Sequence, residues 1–142
     1  YRAALREKRM NIDPELVIPV DFPLINLGYD AIRHLLNKRI EFDAAVCVSD
    51  FTAMSAIREL QTHGLSVPKD IAITGYDDMI SSSLYIPALT TIHQDGRLMG
   101  QRAMTLLHEQ INGQTKPHQE LLPVKLMVRE SCGAEKPMEI QA

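Results

Sequence analysis

Apolar residues in this chain fall alternately into helical stripes and short continuous runs. Tyr1, Ala4, Leu5 and Lys8 share a helical face to about Met10, and Asn11-Ile12-Asp13-Pro14 closes that helix, because proline disfavours helix in the residue before it. Leu16-Val17-Ile18-Pro19-Val20 has the β-branched content of a strand. After the turn Asp21-Phe22-Pro23, Leu24, Leu27, Gly28, Ala31, Ile32 and Leu35 recur at helical spacing to about Asn37. The unbroken run Asp43-Ala44-Ala45-Val46-Cys47-Val48-Ser49 predicts a second strand, buried on both faces. Ser49 or Asp50 then caps a helix with inner face Phe51, Met54, Ile57 and Leu60, which stops at Gly64.

The third strand organises the rest. Ile71-Ala72-Ile73-Thr74 runs into Gly75-Tyr76-Asp77-Asp78, so an apolar strand delivers polar side chains to one edge of its sheet. Ligands of open α/β sheets bind at that carboxyl edge. Strands alternating with helices of ten or more residues require crossovers, and the predicted fold class is α/β, a doubly wound parallel sheet. Residues 81–94 are too apolar for an idle loop and too broken for one helix; Thr90 to Gln94 reads as a short strand. Asp95 caps a long helix to about Ile111, with Leu98, Met99, Ala103, Leu106 and Leu107 inward. Leu121 to Ser131 alternates apolar and polar, as a half-exposed or edge strand does, with Pro123 fixing its start. From Gly133 onward nothing in the composition calls for order.

Charge and cysteine content narrow the function. The net charge is -3 and the 15 Lys and Arg are scattered, so this segment does not itself grip a phosphate backbone, which needs clustered cations. Hydrophobic residues make up 45% and charged residues 23%, a globular composition, and no apolar run reaches the roughly 20 residues needed to span a bilayer. Cys47, inside an apolar strand, and Cys132 do not make a disulfide framework, and a buried reduced thiol at Cys47 suits the cytoplasm. Tyr1 stands inside a helix with no cap before it, so the expectation is the carboxyl-terminal part of a longer protein. The five histidines lack metal-ligand spacing, and there is no phosphate-binding glycine loop or nucleophile elbow. No metal, no cofactor and no enzyme activity are expected.

Three residues stand at the expected rim. Asp77 either satisfies backbone amides of its own turn or accepts hydrogen bonds from ligand hydroxyls. Asp50, after the second strand, either caps its helix or adds a second acceptor wall. Phe22, after the first strand, is either core or a platform for a sugar or base ring. Asp78 is expected to cap the turn after it.

Several ordered blocks resemble the lactose and galactose repressor family of bacterial transcription regulators: Tyr1 to Leu5, Phe42 to Met54, Gly64 to Asp78, Pro87 to Gln94, Leu98-Met99-Gly100, Leu121-Leu122-Pro123 and Arg129-Glu130-Ser131. The resemblance implies the carboxyl-terminal part of an effector-binding core shaped like periplasmic sugar-binding proteins. Residues 1–93 and 122–133 would form the second lobe, 94–121 the crossover and a helix of the first lobe, and 134–142 a tail. That helix should then lack much of its packing partner. Asp77, Asp50, Phe22 and Gln94 are the implied contacts for a small sugar-like or nucleoside-like effector, with one extra residue near Phe22 relative to the family. The helix 51–63 with residues 81–86 implies a homodimer surface using Phe51, Met54, Tyr85 and Ile86. DNA would be met only through an amino-terminal headpiece outside this chain, and no membrane is involved. The rival expectations are a periplasmic sugar-binding protein of a transporter, which a secretory leader upstream would mark, and an α/β enzyme using Asp50 and Asp77, which turnover would mark.

Overall fold

The computed structural model describes residues 1–19, 27–113, 119–135 and 138–141. Helix α1 spans Arg2–Glu7 and stops short of Met10, since no side chain caps its start at Tyr1 and only Leu5 is partly covered. Where a first strand is expected, Pro14–Leu16 forms a single 3-10 turn instead, with the Asp13 carboxylate accepting from the Glu15 amide at 2.9 Å. Residues 17–19 continue without strand pairing. Proline at the turn's first position and the Asp13 side-chain bond favour this local structure over a ladder. Val20 and the turn holding Phe22 lie outside the described residues.

Helix α2 (Leu27–Asn37) and helix α3 (Asp50–Thr62) pack on each other, and α3 packs in turn on strand β2 (Ala72–Thr74). Gly28 allows the first of these contacts: a Cβ there would land on Ser55 Oγ and the Thr52 carbonyl. Arg33 of α2 reinforces the pair, its Nε and Nη2 donating to the two Glu59 oxygens at 2.6 and 3.2 Å. Ala53, Ala56, Ile57 and Leu60 turn inward and join Ile32, Ile71, Ile73 and Leu89 in the core. Phe51, expected inward, is instead 51% exposed, because the inner stripe is set by small residues at 53 and 56 that let α2 approach.

Strand β1 (Ala44–Val46) pairs in parallel with β2, in register Ala45↔Ile73. Single parallel bridges, Thr74↔Thr90 and Asp77↔His93, continue the sheet from β2 to the β3 segment. Strand β3 (Thr91–Gln94) then pairs antiparallel with β4 (Val124–Val128), and β4 with β5 (Met138–Gln141). The sheet is therefore mixed: parallel where helices cross over and antiparallel beyond. Three expectations change here. β1 is not buried on both faces, because Val46 is 72% exposed beside a hollow of about 850 Å³ bounded by Leu5, Leu16, Val17 and Phe42. β4 keeps the half-exposed pattern its alternation predicts but is internal to its sheet rather than an edge, and residues 138–141 are a strand rather than a tail, since β4's free side offers them a ladder.

Helix α4 (Ile80–Leu84) is short, and helix α5 (Gly96–Ile111) begins at Asp95, whose carboxylate accepts from the Leu98 amide at 2.9 Å as its sequence predicts. The predicted inward face of α5 is not buried: Met99 and Leu107 are exposed, as are Met104 and Ile111, and only Leu98, Arg102 and Leu106 are partly covered. No helix of the described residues is long and apolar enough to cross a membrane.

Gly28→Ala should lower stability by about 2 kcal/mol, the usual cost of forcing a methyl group into a closed helix contact. Urea unfolding of the variant beside the parent reads this directly, and an unchanged midpoint would mean that α2 and α3 do not meet as described.

Candidate functional site

Strands β1 and β2 end side by side, and the chain leaving them builds the site. Ser49 caps α3, its Oγ accepting from the Thr52 amide at 3.2 Å, which settles the choice between Ser49 and Asp50. Asp50 is thereby free for another use. Its backbone amide donates to the Tyr76 carbonyl at 2.7 Å, drawing the start of α3 against the segment after β2.

The Asp50 side chain is fully buried. Its Oδ2 accepts from the Met79 amide at 2.8 Å and from Ser82 Oγ at 2.6 Å, and its Oδ1 from the Thr91 hydroxyl. A buried carboxylate needs such donors, or its desolvation goes uncompensated. Gly75 has to be glycine for this, since a Cβ would strike Asp50 Oδ1. The carboxylate that the sequence offers as a cleft wall is thus beneath the rim, holding the loop above it.

That loop carries Asp77 and Asp78, both non-glycine residues at positive φ, +114° and +53°. Residues so placed cost on the order of 1–3 kcal/mol each and persist only where neighbours hold them. Asp77 is half-buried; its amide donates to the Ile92 carbonyl at 3.0 Å, and one carboxylate oxygen accepts from Gln94 Nε2 at 2.7 Å. Asp78 does not cap the following helix, because its two oxygens are engaged by Arg129 Nη2 at 2.6 Å and His93 Nδ1 at 3.0 Å. α4 accordingly starts without a side-chain cap.

Asp77 and Gln94 are therefore brought together, with Asp50 under them, while Phe22 lies outside the described residues. The large hollow beside β1 is lined by none of Asp50, Asp77 or Gln94. Sequence reasoning passed over Arg129, Ser131 and His93 as site residues. Ser131 Oγ donates to the Ile73 carbonyl at 2.7 Å and accepts from the Thr90 amide at 2.8 Å, stitching the end of β4 to β2 and the approach to β3. The signal for Arg129 and Ser131 was the charged and polar triplet Arg129-Glu130-Ser131 closing an alternating strand, whereas nothing local marked His93.

Tyr85 and Met54 lie partly covered, and the Tyr85 hydroxyl donates to the Met54 carbonyl at 3.0 Å. Burial pushes the Tyr85 phenol above its ordinary value. Phe51 and Ile86 face outward with Ile80 and Leu84. Burial likewise pushes the Cys47 thiol up to about 12, leaving it protonated at neutral pH and a poor nucleophile. Among the described residues no group of three or more His, Cys, Asp or Glu is arranged to hold a metal ion.

The periplasmic binding protein-like domain family matches residues 1–132. The HTH-type transcriptional regulator CelR of Thermobifida fusca is 38% identical over 132 residues, 92% of this chain and 38% of that protein. Among solved structures, the transcriptional regulator CelR–cellobiose complex superposes with a TM-score of 0.84 at 38% identity, covering 92% of this chain and 40% of that one. The lac repressor dimer bound to operator and the anti-inducer ONPF gives a TM-score of 0.79 at 33% identity, covering 94% and 46%. The chain spans 33% to 39% of the length of curated relatives such as these.

Asp50→Ala should cost about 3–5 kcal/mol, the range for stripping one partner from a buried charged network. Asp50→Asn should cost clearly less, because the Thr91 hydroxyl can reverse to accept from the amide. Chemical denaturation of both variants tests the order, and equal small losses would show that the carboxylate does not hold the loop.

Proposed function

The chain belongs to the periplasmic binding protein-like domain family in its lactose and galactose repressor branch, and on that footing we propose that it is the second lobe of the effector-binding core of a bacterial transcription regulator, a repressor. The effector is a small sugar-like molecule received at Asp77 and Gln94. The observation that carries this reading is the strained turn after β2, which holds Asp77 at the carboxyl edge with one oxygen taken by an amide rather than by a cation. A carboxylate held this way remains a strong acceptor for ligand hydroxyl groups. Asp50 acts as a positioning group rather than a contact, and the facing wall of the cleft comes from the first lobe, which α5 leads into.

Regulation follows if the effector prefers one arrangement of the two lobes. Only that difference in affinity changes how paired headpieces sit on DNA, and a ligand that bound both arrangements equally would switch nothing. DNA contact falls to an amino-terminal headpiece beyond this chain, and such a regulator works in the cytoplasm. Two copies pair through the apolar surface of Phe51, Ile80, Leu84 and Ile86, with Tyr85 and Met54 supporting it from below. Recognition without turnover is the reading of the site, because Asp77 is hydrogen-bonded to an amide and not to a proton-shuttling partner. The relatives are named as transcriptional regulators, which favours this reading over a transporter's binding protein.

Cellobiose, the sugar of the CelR–cellobiose complex, is the first probe within a panel of mono- and disaccharides. For whichever sugar binds the full-length regulator, Asp77→Ala should weaken binding at least about 100-fold, equivalent to about 2.7 kcal/mol. Alanine tolerates positive φ less well than aspartate, so a modest fall in melting temperature should accompany this loss. Titration calorimetry with unchanged affinity would remove Asp77 from the site. Replacing Phe51 and Ile86 together by Arg should turn a dimer into a monomer in sedimentation; a dimer that survives both charges would place the subunit contact elsewhere.

A further inference from the structure

Among the described residues, Asp77-Asp78 is the one place where two consecutive non-glycine residues stand at positive φ. Asp77 is held by its amide bond to Ile92, the parallel bridge to His93 and a single side-chain link to Gln94, with no charged partner among the described residues. Asp78 is held far more firmly. Arg129 Nη2 donates to its Oδ1 at 2.6 Å, and His93 Nδ1 meets its Oδ2 at 3.0 Å.

Arg129 is itself anchored on several sides. Its Nη1 donates to the Leu89 carbonyl at 2.9 Å, and its backbone amide donates to Thr90 Oγ1 at 2.8 Å. Glu130 Oε2 accepts from the Ala88 amide at 2.8 Å, and Ser131 bridges Ile73 and Thr90. The guanidinium therefore spans from a fixed carbonyl to the Asp78 carboxylate across 51 positions of sequence. Both Arg129 and Asp78 are largely withdrawn from solvent, at 15% and 13% side-chain exposure, which lessens screening of the pair.

We propose that Arg129 is a positioning residue for the effector site: by gripping Asp78 it keeps the left-handed turn that aims Asp77 outward, without itself meeting the ligand. The consequence for the site rests on the reading of Asp77 as an effector contact, whereas the grip can be tested with no ligand present. Arginine is needed because one planar group must serve Leu89 and Asp78 at once, through different nitrogens, which an ammonium on a flexible stem does poorly.

The Gln94 side-chain amide reports where Asp77 points, since it donates to that carboxylate. In NMR spectra of the chain, Arg129→Met should remove the downfield shift of the Gln94 amide and speed exchange of the Asp77 backbone amide at least about tenfold. Adding Asp78→Gly should restore both signals, because glycine adopts positive φ without a tether. Adding Asp78→Ala should not restore them, although it equally removes the orphaned carboxylate. Should Arg129→Met fail to fold, Arg129→Lys with the same two partners carries the comparison. Unchanged Gln94 and Asp77 signals in the Arg129 variant, or equal rescue by alanine and glycine, would overturn the proposal. A retained rescue pattern beside sugar binding insensitive to Asp77 would instead leave the grip standing and remove the effector role.

Discussion

A fully buried carboxylate is the constraint on which this structure turns. The Asp50 side chain can be withdrawn from water only where donors surround it, and those donors come from the Met79 amide, Ser82 and Thr91. Satisfying one side chain thus fixes the start of α3, the loop after β2, the start of α4 and the beginning of β3. Gly75 belongs to the same unit, because any side chain there would displace the carboxylate it faces. Bonds in such a network support one another, so the rim it carries is specified collectively rather than by any single pair.

Elements whose signals are local were legible in the sequence. Both ends of α3 were, because Ser49 caps one and Gly64, at φ +77°, ends the other. The start of α5 at Asp95 was equally plain, as was the arrival of Asp77 at a strand's carboxyl edge. The failures share a cause, which is that apolarity records a tendency to be covered and not what does the covering. Leu16 to Ile18 has strand composition, yet the preceding Asp13-Pro14 turn won locally. Val46 has the same β-branched character and stands beside an open hollow. α5 shows helical periodicity without a buried residue, because the described residues bring no second element against its Met99, Met104 and Leu107.

Long-range polar contacts were the least legible of all. Nothing near Arg129 in the sequence announces Asp78, and nothing near Ser131 announces Ile73, 58 positions away. The cap expected of Asp78 is the reasonable local reading, since an aspartate before a short helix is usually a cap. It fails because an arginine and a histidine from other elements occupy the same two oxygens, and a short ion pair with a guanidinium outweighs a bond to a backbone amide. Local grammar sees the carboxylate but not its rivals.

Three aspartates within one small region thus acquire three different fates from their partners alone. Asp50 is saturated by neutral donors below the surface, Asp78 is held by a guanidinium and a histidine, and Asp77 is held by one amide. A carboxylate already paired with a cation gains little from a neutral hydroxyl, and one with no exposed surface cannot be reached, so the proposed recognition falls to Asp77 by elimination of its neighbours. Its partner Gln94 is the last residue of β3 and immediately precedes Asp95, the cap of α5. Any ligand that draws the Asp77 carboxylate toward itself therefore acts within one residue of the point where the chain turns into α5. If the proposed lobe division holds, that point is the passage between lobes, and the bond from Gln94 to Asp77 would be one contact through which an occupied site could bias the lobe arrangement.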